Sequence, residues 1–227
     1  MTCPHLAAVG AVWVHGADVG GWIAERLGPF GPSVGHAVPL HYPAYAIVPI
    51  PWDEEAEDDD AAMTTLDALL GLLEPYTGQG PVYSGIWDGF PITYPTGTDP
   101  RDAVHVDLFW AEGERPSDQE LARSRAEAIE QVAADLVESP DTRPLELPNR
   151  RYHVWRGPLR SALALRHHQY APPSLIWPHD RAWFVGAPIY TDEFAVAGSA
   201  ALVDAILADE RVHARRATPD DILQGDD

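Results

Sequence analysis

The chain has 227 residues, a net charge of −20 and one cysteine. A chain of this length buries a full hydrophobic core without help from a metal or a disulfide, and Cys3 has no second cysteine with which to pair. The negative charge repels nucleic-acid phosphates and anionic membranes, so we expect no nucleic acid and no membrane as a partner.

Residues 1–16 favour a cytoplasmic protein. They contain no basic residue ahead of their apolar run, whereas a secretory signal needs one. No apolar run elsewhere approaches the roughly 20 residues that cross a bilayer. The length fits one large domain or two small ones, and in the absence of an internal repeat or a clear linker we expect a single α+β domain over residues 1–227.

The N-terminal part of the chain predicts a strand, a helix and proline-rich segments. Residues 8–14 are apolar and rich in Val, which predicts a strand. Asp18 is placed to cap a helix that runs to Leu27, after which Gly and Pro end it. Residues 36–52 contain four prolines. Proline cannot donate to a β-ladder, so this segment predicts short edge strands with bulges.

Residues 53–60 carry seven acidic side chains in eight positions. Like charges at this density repel one another, which predicts a solvated loop. A calcium site is the alternative, because carboxylate oxygens suit hard cations. The run lacks the alternating ligands and the central Gly of an EF-hand, so the loop is the favoured interpretation.

The middle of the chain predicts a helix followed by two strands. Residues 61–74 place a stripe of leucines at helical spacing, and Thr64 with Asp67 forms a capping-box pattern. Residues 81–90 predict a strand that ends in an Asp-Gly turn. Residues 104–110 alternate apolar and polar side chains, as expected of a half-buried strand.

The clearest helix of the sequence runs from Asp118 to Glu138. Ser117 and Glu120 form a second capping box at its start, directly after Pro116. The apolar residues of this helix recur at helical spacing and predict one buried face. The face expected to be buried carries Leu121, Ile129, Val132 and Leu136.

The last third of the chain alternates short strands with turns. Apolar and aromatic residues predict strands over residues 152–155, 175–177, 182–190 (interrupted at Pro188) and 194–196. Gly198 and Ser199 begin a final helix with an apolar face. The polar tail of residues 215–227 is expected to fray.

Aromatic and basic residues are concentrated in residues 145–199. An Arg beside an aromatic ring can stack on it and still present a planar donor fork, which suits a carboxylate, a sugar or a peptide. The candidate ligand- or partner-binding residues are Trp155, Arg156, Trp177, Asp180, Arg181 and Trp183. The alternative is an Asp–Arg turn that orders the start of a strand. For a binding surface, replacing Trp177 and Arg181 by Ala is expected to weaken partner binding and to spare folding.

The sequence lacks the common signatures of catalysis and of metal binding. It contains no nucleophile elbow, phosphate loop, G-x-G-x-x-G, H-E-x-x-H or paired C-x-x-C. Adjacent histidines such as His167 and His168 diverge on a helix or a strand, so they do not converge on one metal. We therefore predict no catalytic residue, no metal and no cofactor.

Five short motifs lie in the middle and C-terminal parts of the chain. They are Gly85-Ile86-Trp87-Asp88-Gly89, Leu147-Pro148-x-Arg150-x-Tyr152, Gly157-Pro158-Leu159, Pro173-Ser174-Leu175-x-Trp177-Pro178-x-Asp180-Arg181-x-Trp183-x-Val185 and Val196-x-Gly198-Ser199. Together they resemble a large group of actinobacterial proteins of unassigned function. The chain departs from that group at Ile176, where a second Trp is common. The resemblance implies a shared scaffold and carries over no reaction and no catalytic residue.

The whole pattern predicts an α+β fold, with a mostly antiparallel sheet of short strands packed with three to four amphipathic helices. The lack of a catalytic constellation and the charge favour a non-enzymatic, cytoplasmic binding or interaction protein. One form is an immunity-type protein that docks on a basic protein partner, since acidic charge speeds such an encounter. The alternative is a small-molecule enzyme whose acid–base groups are Asp180 and Arg181 with His167, His168 or His179.

Overall fold

The computed structural model of the chain has two compact units, Met1–Phe90 with Asp141–Asp227, and Pro91–Pro140. The structure describes residues 3–51, 61–107, 110, 115–165 and 172–225. The acidic run 53–60 lies outside the described residues, and so do His167 and His168. The expectations for those residues stay predictions.

The larger unit is built on one antiparallel sheet of nine strands, which confirms the predicted α+β fold. The strands of the whole chain are β1 (Val12–Val14), β2 (Ala44–Pro49), β3 (Val82–Trp87), β4 (Thr93–Tyr94), β5 (Val137–Glu138), β6 (Leu145–Leu147), β7 (Arg150–Gly157), β8 (Leu175–Pro178), β9 (Phe184–Gly186), β10 (Glu193–Gly198) and β11 (Arg215–Ala217). The order across the large sheet is β1-β7-β3-β8-β9-β10-β2-β11, and β6 pairs with β7 as a hairpin. The strands β4 and β5 belong to the smaller unit, where they pair in parallel.

Six α-helices lie among the described residues. They are α1 (Pro4–Ala8), α2 (Gly16–Ala24), α3 (Val34–Ala37), α4 (Ala61–Leu73), α5 (Asp118–Asp135) and α6 (Ala200–Leu207). None of the described helices is long and apolar enough to span a membrane.

Helices cover both faces of the large sheet. Alternate residues of β2 point to opposite faces of the sheet. Ala46 and Val48 pack with α4 and α6 on one face. Tyr45 and Ile47 pack with α2 and α3 on the other. Each fully buried Leu or Ile of these layers stabilises the fold by about 1.5–3 kcal/mol relative to an exposed one. Strands buried on both faces read as continuous apolar runs, which is why β8 and β10 show no polar alternation.

The prediction of edge strands in residues 36–52 is wrong. The strand β2 lies inside the sheet, paired antiparallel with both β10 and β11, and its backbone hydrogen bonds are used on both sides. Pro43 precedes the strand and Pro49 ends it, so the prolines bound the strand and do not interrupt it. Residues 36 and 37 belong to α3.

One predicted helix start lies too far along the chain, and one predicted capping box is absent from a helix whose start near residue 61 was predicted. His15 is the N-cap of α2, and Asp18 lies in the first turn of that helix. Thr64 and Asp67 lie inside α4 and form no capping box, because Ala61 and the two residues after it already have helical structure. Alanine and methionine are strong helix formers, so the helix extends in the N-terminal direction beyond the polar pattern.

The smaller unit confirms one capping box and corrects one strand. The Ser117 N–H donates to the Glu120 carboxylate at 2.9 Å, and the Glu120 N–H donates to the Ser117 hydroxyl at 3.3 Å. Residues 104–107 form no strand, and the Val106 carbonyl accepts a hydrogen bond from the Arg125 side chain at 3.3 Å. Alternation predicts a face, but a strand also needs a hydrogen-bonded neighbour.

Two further segments differ from the sequence-based expectation. Ala133 is the one residue of α5 that is buried, and the four apolar residues expected on its inner face are half-buried. Residues 215–217 form β11 at the edge of the large sheet, and Leu223 is also buried. Part of the polar tail is therefore ordered by β-pairing.

Candidate functional site

The three tryptophans of the predicted binding surface lie in the core. Trp155, Trp177 and Trp183 are at most 1% exposed. The Trp155 Nε1–H donates to the carbonyl of Ser161 at 2.9 Å, and the Trp183 Nε1–H donates to the hydroxyl of Thr77 at 3.1 Å. Buried indoles need such partners. These rings present no surface to a ligand or a partner.

The polar residues of the predicted site form an exposed turn between β8 and β9. The Asp180 carboxylate accepts a hydrogen bond from the Ala182 N–H at 3.1 Å. Arg181 has a φ of 58°, and its guanidinium carbon lies 4.7 Å from the centroid of the Trp22 ring. Arg181 therefore stacks on an aromatic ring, as the sequence predicts for an Arg of this region. The ring is that of Trp22 in α2, and not one of the three predicted tryptophans.

The remaining predicted residues do not join this turn. Arg156 is exposed on β7. His179 is exposed, and its Nδ1 atom lies 3.2 Å from the Tyr83 hydroxyl oxygen. Asp180 caps its own turn instead of pairing with His179. The described residues thus give no acid–base pair of His179 and Asp180, and His167 and His168 lie outside them.

A pocket lies at one end of the large sheet, beneath α3. The start of β7, the start of β8 and the end of β9 meet there, since Leu175 pairs with Gly186 and the Ala187 N–H donates to the Ser174 carbonyl at 2.8 Å. Gly186 permits the close approach of α3, because a methyl group there would collide with the Ala37 carbonyl. The lining residues are Leu27, His36, Ala37, Leu147, Pro148, Arg150, Tyr152, Ser174, Leu175, Ala187 and Pro188.

The pocket is an open recess, and its empty space of about 390 Å³ includes open solvent at the mouth. Most of its lining is apolar. Small-molecule sites commonly combine such an apolar lining with a few placed polar groups.

Two polar atoms of the lining residues are buried without a partner. They are the Nδ1 atom of His36 and the hydroxyl oxygen of Ser174, and neither has a hydrogen bond within the described part of the chain. An unpaired buried polar group costs about 1–3 kcal/mol. Such atoms need an explanation, and a bound molecule that pairs with them is one.

The guanidinium of Arg150 lies against two exposed aromatic rings. Its guanidinium carbon lies 5.1 Å from the centroid of Tyr190 and 5.9 Å from that of Phe30. The exposed fractions of Tyr190 and Phe30 are 72% and 57%. Arg150 also donates a hydrogen bond to the Tyr152 hydroxyl, and the remaining N–H donors in the plane of its guanidinium keep the geometry that recognises carboxylates in a bidentate way.

The pocket is locally positive in a chain of net charge −20. Arg150 is the one charged residue among the described lining residues. Burial lowers the pKa of His36 from its usual value, and the nearby Arg150 charge lowers it further. Burial raises the pKa of Tyr152, and Arg150 opposes that rise. At neutral pH the pocket therefore holds one cation, a neutral imidazole and two hydroxyl groups.

Sequence reasoning missed this pocket because its residues come from five separate segments. One signal was available, since Leu147, Pro148, Arg150 and Tyr152 form one motif and Ser174 and Leu175 belong to another. Both motifs carry the resemblance described above. The left-handed Asn149, with a φ of 63°, turns the β6–β7 hairpin so that Pro148 and Arg150 both line the pocket.

Neither a search for metal-binding side chains nor a comparison with known proteins assigns a function to the pocket. Within the described ranges, no group of three or more His, Cys, Asp or Glu side chains could hold a metal ion. Comparison with protein-family models, with curated proteins and with solved structures finds no match to the chain. The resemblance to the actinobacterial group therefore stays a prediction.

Proposed function

We propose that the protein is a non-enzymatic binding protein that takes up a small organic monoanion, a carboxylate, in the pocket beneath α3. One observation carries this proposal. The guanidinium of Arg150 lies against two aromatic rings and beside a pocket whose lining residues His36 and Ser174 each have a buried polar atom without a partner.

A carboxylate matches this set of groups. Its two oxygens accept from the planar N–H donors of Arg150 in a bidentate pair. The Ser174 hydroxyl is free to donate to the same oxygens, and His36 can present either a donor or an acceptor at Nδ1 because its imidazole is neutral. A single cation suits a ligand of single negative charge.

The mouth of the pocket indicates what the rest of the ligand is. Phe30 and Tyr190 present large exposed apolar surfaces beside Arg150. Leu27 and Leu147 add aliphatic surface to the lining. Apolar surface removed from water stabilises a complex by about 25 cal/mol per Å². We therefore expect a carboxylate that carries an aromatic or aliphatic body.

The pocket favours binding over catalysis. General acid–base catalysis is most efficient when the pKa of the catalytic group lies near the working pH. The two titratable groups beside Arg150 shift away from neutrality, since the pKa of His36 is lowered and that of Tyr152 is raised. No carboxylate or thiol belongs to the described lining that could complete a catalytic pair.

The net charge of −20 supports a further expectation for the surface. An acidic surface speeds the encounter with a basic protein partner. The immunity-type role rests on that charge alone and stays a prediction, as does the cytoplasmic location.

Replacing Ser174 by Ala is expected to separate binding from stability. The substitution removes a buried hydroxyl that has no partner, so the free energy of unfolding should stay equal or rise by about 1 kcal/mol. The same change removes a donor to the carboxylate, so benzoate should bind about tenfold more weakly. Urea denaturation measures the first effect, and titration calorimetry with benzoate, phenylacetate and hexanoate measures the second.

Ser84→Ala is the matched control for this experiment. Ser84 also has a buried hydroxyl without a partner, but it lies two residues from Val82 on β3 and so faces α4 and α6. Its replacement should leave carboxylate binding unchanged. Equal weakening in both variants, or no calorimetric binding of any of the three acids to the unaltered protein, would contradict the proposed function.

A further inference from the structure

Two arginines share one indole ring on the surface of the larger unit. The guanidinium carbon of Arg181 lies 4.7 Å from the centroid of Trp22, and that of Arg26 lies 5.6 Å from it. Arg26 and Arg181 are exposed, and Trp22 is half-buried with its Nε1 atom buried and unpaired among the described residues. We call Trp22, Arg26, Tyr42 and Arg181 the Trp22 cluster.

Neither arginine of the Trp22 cluster has a carboxylate partner within the described part of the chain, although acids outnumber basic residues by 35 to 15. Eight other arginines do form ion pairs with Asp or Glu. They are Arg101, Arg115, Arg143, Arg151, Arg160, Arg211, Arg215 and Arg216. The Trp22 cluster thus brings together two arginines that form no ion pair among the described residues, in a strongly acidic protein.

The backbone of Arg181 is held in an unfavourable conformation that places it over Trp22. Its φ of 58° lies in the left-handed region, which costs a residue other than Gly about 1 kcal/mol or more. The Tyr42 hydroxyl donates to the Arg181 carbonyl at 2.9 Å, and Asp180 holds the Ala182 N–H of the same turn. Strain that the surroundings maintain in this way is a feature of ligand sites.

We propose that Arg26 and Arg181 form a second binding site, specific for a phosphate monoester, that is separate from the carboxylate pocket. A phosphate monoester carries about −1.5 to −2 charges at neutral pH and three acceptor oxygens, which matches two guanidinium groups better than a monocarboxylate does. Stacking on Trp22 orders both guanidiniums and leaves their in-plane donors free. The charge of −20 repels a polyanion, so the ligand is a single phosphate group and not a nucleic acid.

The test is a titration of the whole protein with phenyl phosphate, in which binding is measured by calorimetry and by the change in the phosphorus NMR shift. Arg181→Gly removes the guanidinium and also relieves the left-handed strain, so its midpoint of thermal unfolding should be no lower than that of the unaltered protein. Arg26→Gln removes the other guanidinium with little change in size. Each variant should bind phenyl phosphate at least about tenfold more weakly, as expected for the loss of a hydrogen bond to a charged group.

Arg156→Gln is the matched control, because Arg156 is an exposed arginine outside the Trp22 cluster. It changes the net charge by the same amount and should leave the affinity unchanged. Weakening in this control equal to that in Arg26→Gln would overturn the proposal, since binding would then follow net charge. Absence of saturable binding, or full binding by Arg181→Gly, would overturn it as well.

A phosphoserine peptide distinguishes the two sources of a phosphate monoester. Tighter binding of the peptide than of phenyl phosphate, with the same loss in Arg181→Gly, assigns the site to a phosphorylated polypeptide. Equal or weaker binding of the peptide, again lost in Arg181→Gly, assigns it to a free phosphate ester. Both results support recognition of a phosphate monoester by the Trp22 cluster.

Discussion

Replacing Trp177 by Ala is expected to lower the free energy of unfolding by about 3–5 kcal/mol. Trp177 is 1% exposed and stacks between two rings, with centroids 5.5 Å from Tyr83 and 5.8 Å from Phe184. The substitution removes this buried surface and both ring contacts and leaves a cavity in the layer between the sheet and α2. Equilibrium denaturation in urea, followed by far-UV circular dichroism, measures the effect.

This expectation reverses the one drawn from the sequence, in which Trp177 belonged to a binding surface and its loss spared folding. Arg156→Ala serves as the control, because exposed residues away from special features usually change stability by no more than about 0.5 kcal/mol. Trp177→Phe should fall between the two, since it retains a ring in the stack. A Trp177→Ala protein of unaltered stability would falsify the core position of this residue.

The reversal has a simple physical cause. A cluster of Trp and Arg in the sequence is typical of a binding surface, but composition does not say which faces of a strand are covered. Trp177 and Ile176 point to opposite faces of β8, and both faces carry helices. An aromatic residue on such a strand is buried whichever way it points. The polar turn after β8, which includes Arg181, and the exposed Arg156 of β7 were left on the surface.

Local signals predicted the elements whose structure depends on neighbouring residues in the chain. The capping box of Ser117 and Glu120 and the leucine stripe of α4 are of this kind, and both are confirmed. The strand β3 was also predicted within a few residues. Capping and helical spacing act over three or four residues, so the sequence shows them directly.

Pairing between distant segments could not be predicted in the same way. The order of the sheet places β2 between β10 and β11, which lie about 150 residues further along the chain. Such pairing decides whether a proline-bounded strand is an edge or an interior strand. The pocket has the same origin, because α3, β7, β8 and β9 meet only when the sheet is complete. The sequence does not show that two polar atoms of the lining residues are unpaired, because this depends on whether a hydrogen-bond partner from elsewhere in the chain lies near them.

Replacing Arg150 by Gln is expected to have the largest effect on ligand binding. A bidentate pair of charge-assisted hydrogen bonds is lost, each of which contributes about 1.5–3 kcal/mol when one partner is charged. Benzoate should therefore bind at least about 10- to 100-fold more weakly, as measured by titration calorimetry. Arg151→Gln is the matched control, because Arg151 is the next residue along β7 and pairs with Asp88 outside the pocket. Equal weakening in the two variants would show that net charge, and not the pocket, governs binding.

The affinity for benzoate should also depend on pH. In the free protein, burial and the Arg150 charge hold the pKa of His36 below its usual value of about 6.5. A bound carboxylate offsets the charge of Arg150, so the pKa of His36 rises on binding and the complex takes up protons. By linkage, a state that binds more protons is favoured as the pH falls.

The affinity for benzoate should therefore increase as the pH falls from about 8 to about 5, the range in which His titrates. In Arg150→Gln the affinity should be lower throughout this range, and the increase should persist, because the carboxylate acts on His36 directly. Calorimetry in two buffers of different ionisation enthalpy measures the proton uptake directly, and an affinity that stays constant or falls with decreasing pH would contradict a carboxylate seated between Arg150 and His36.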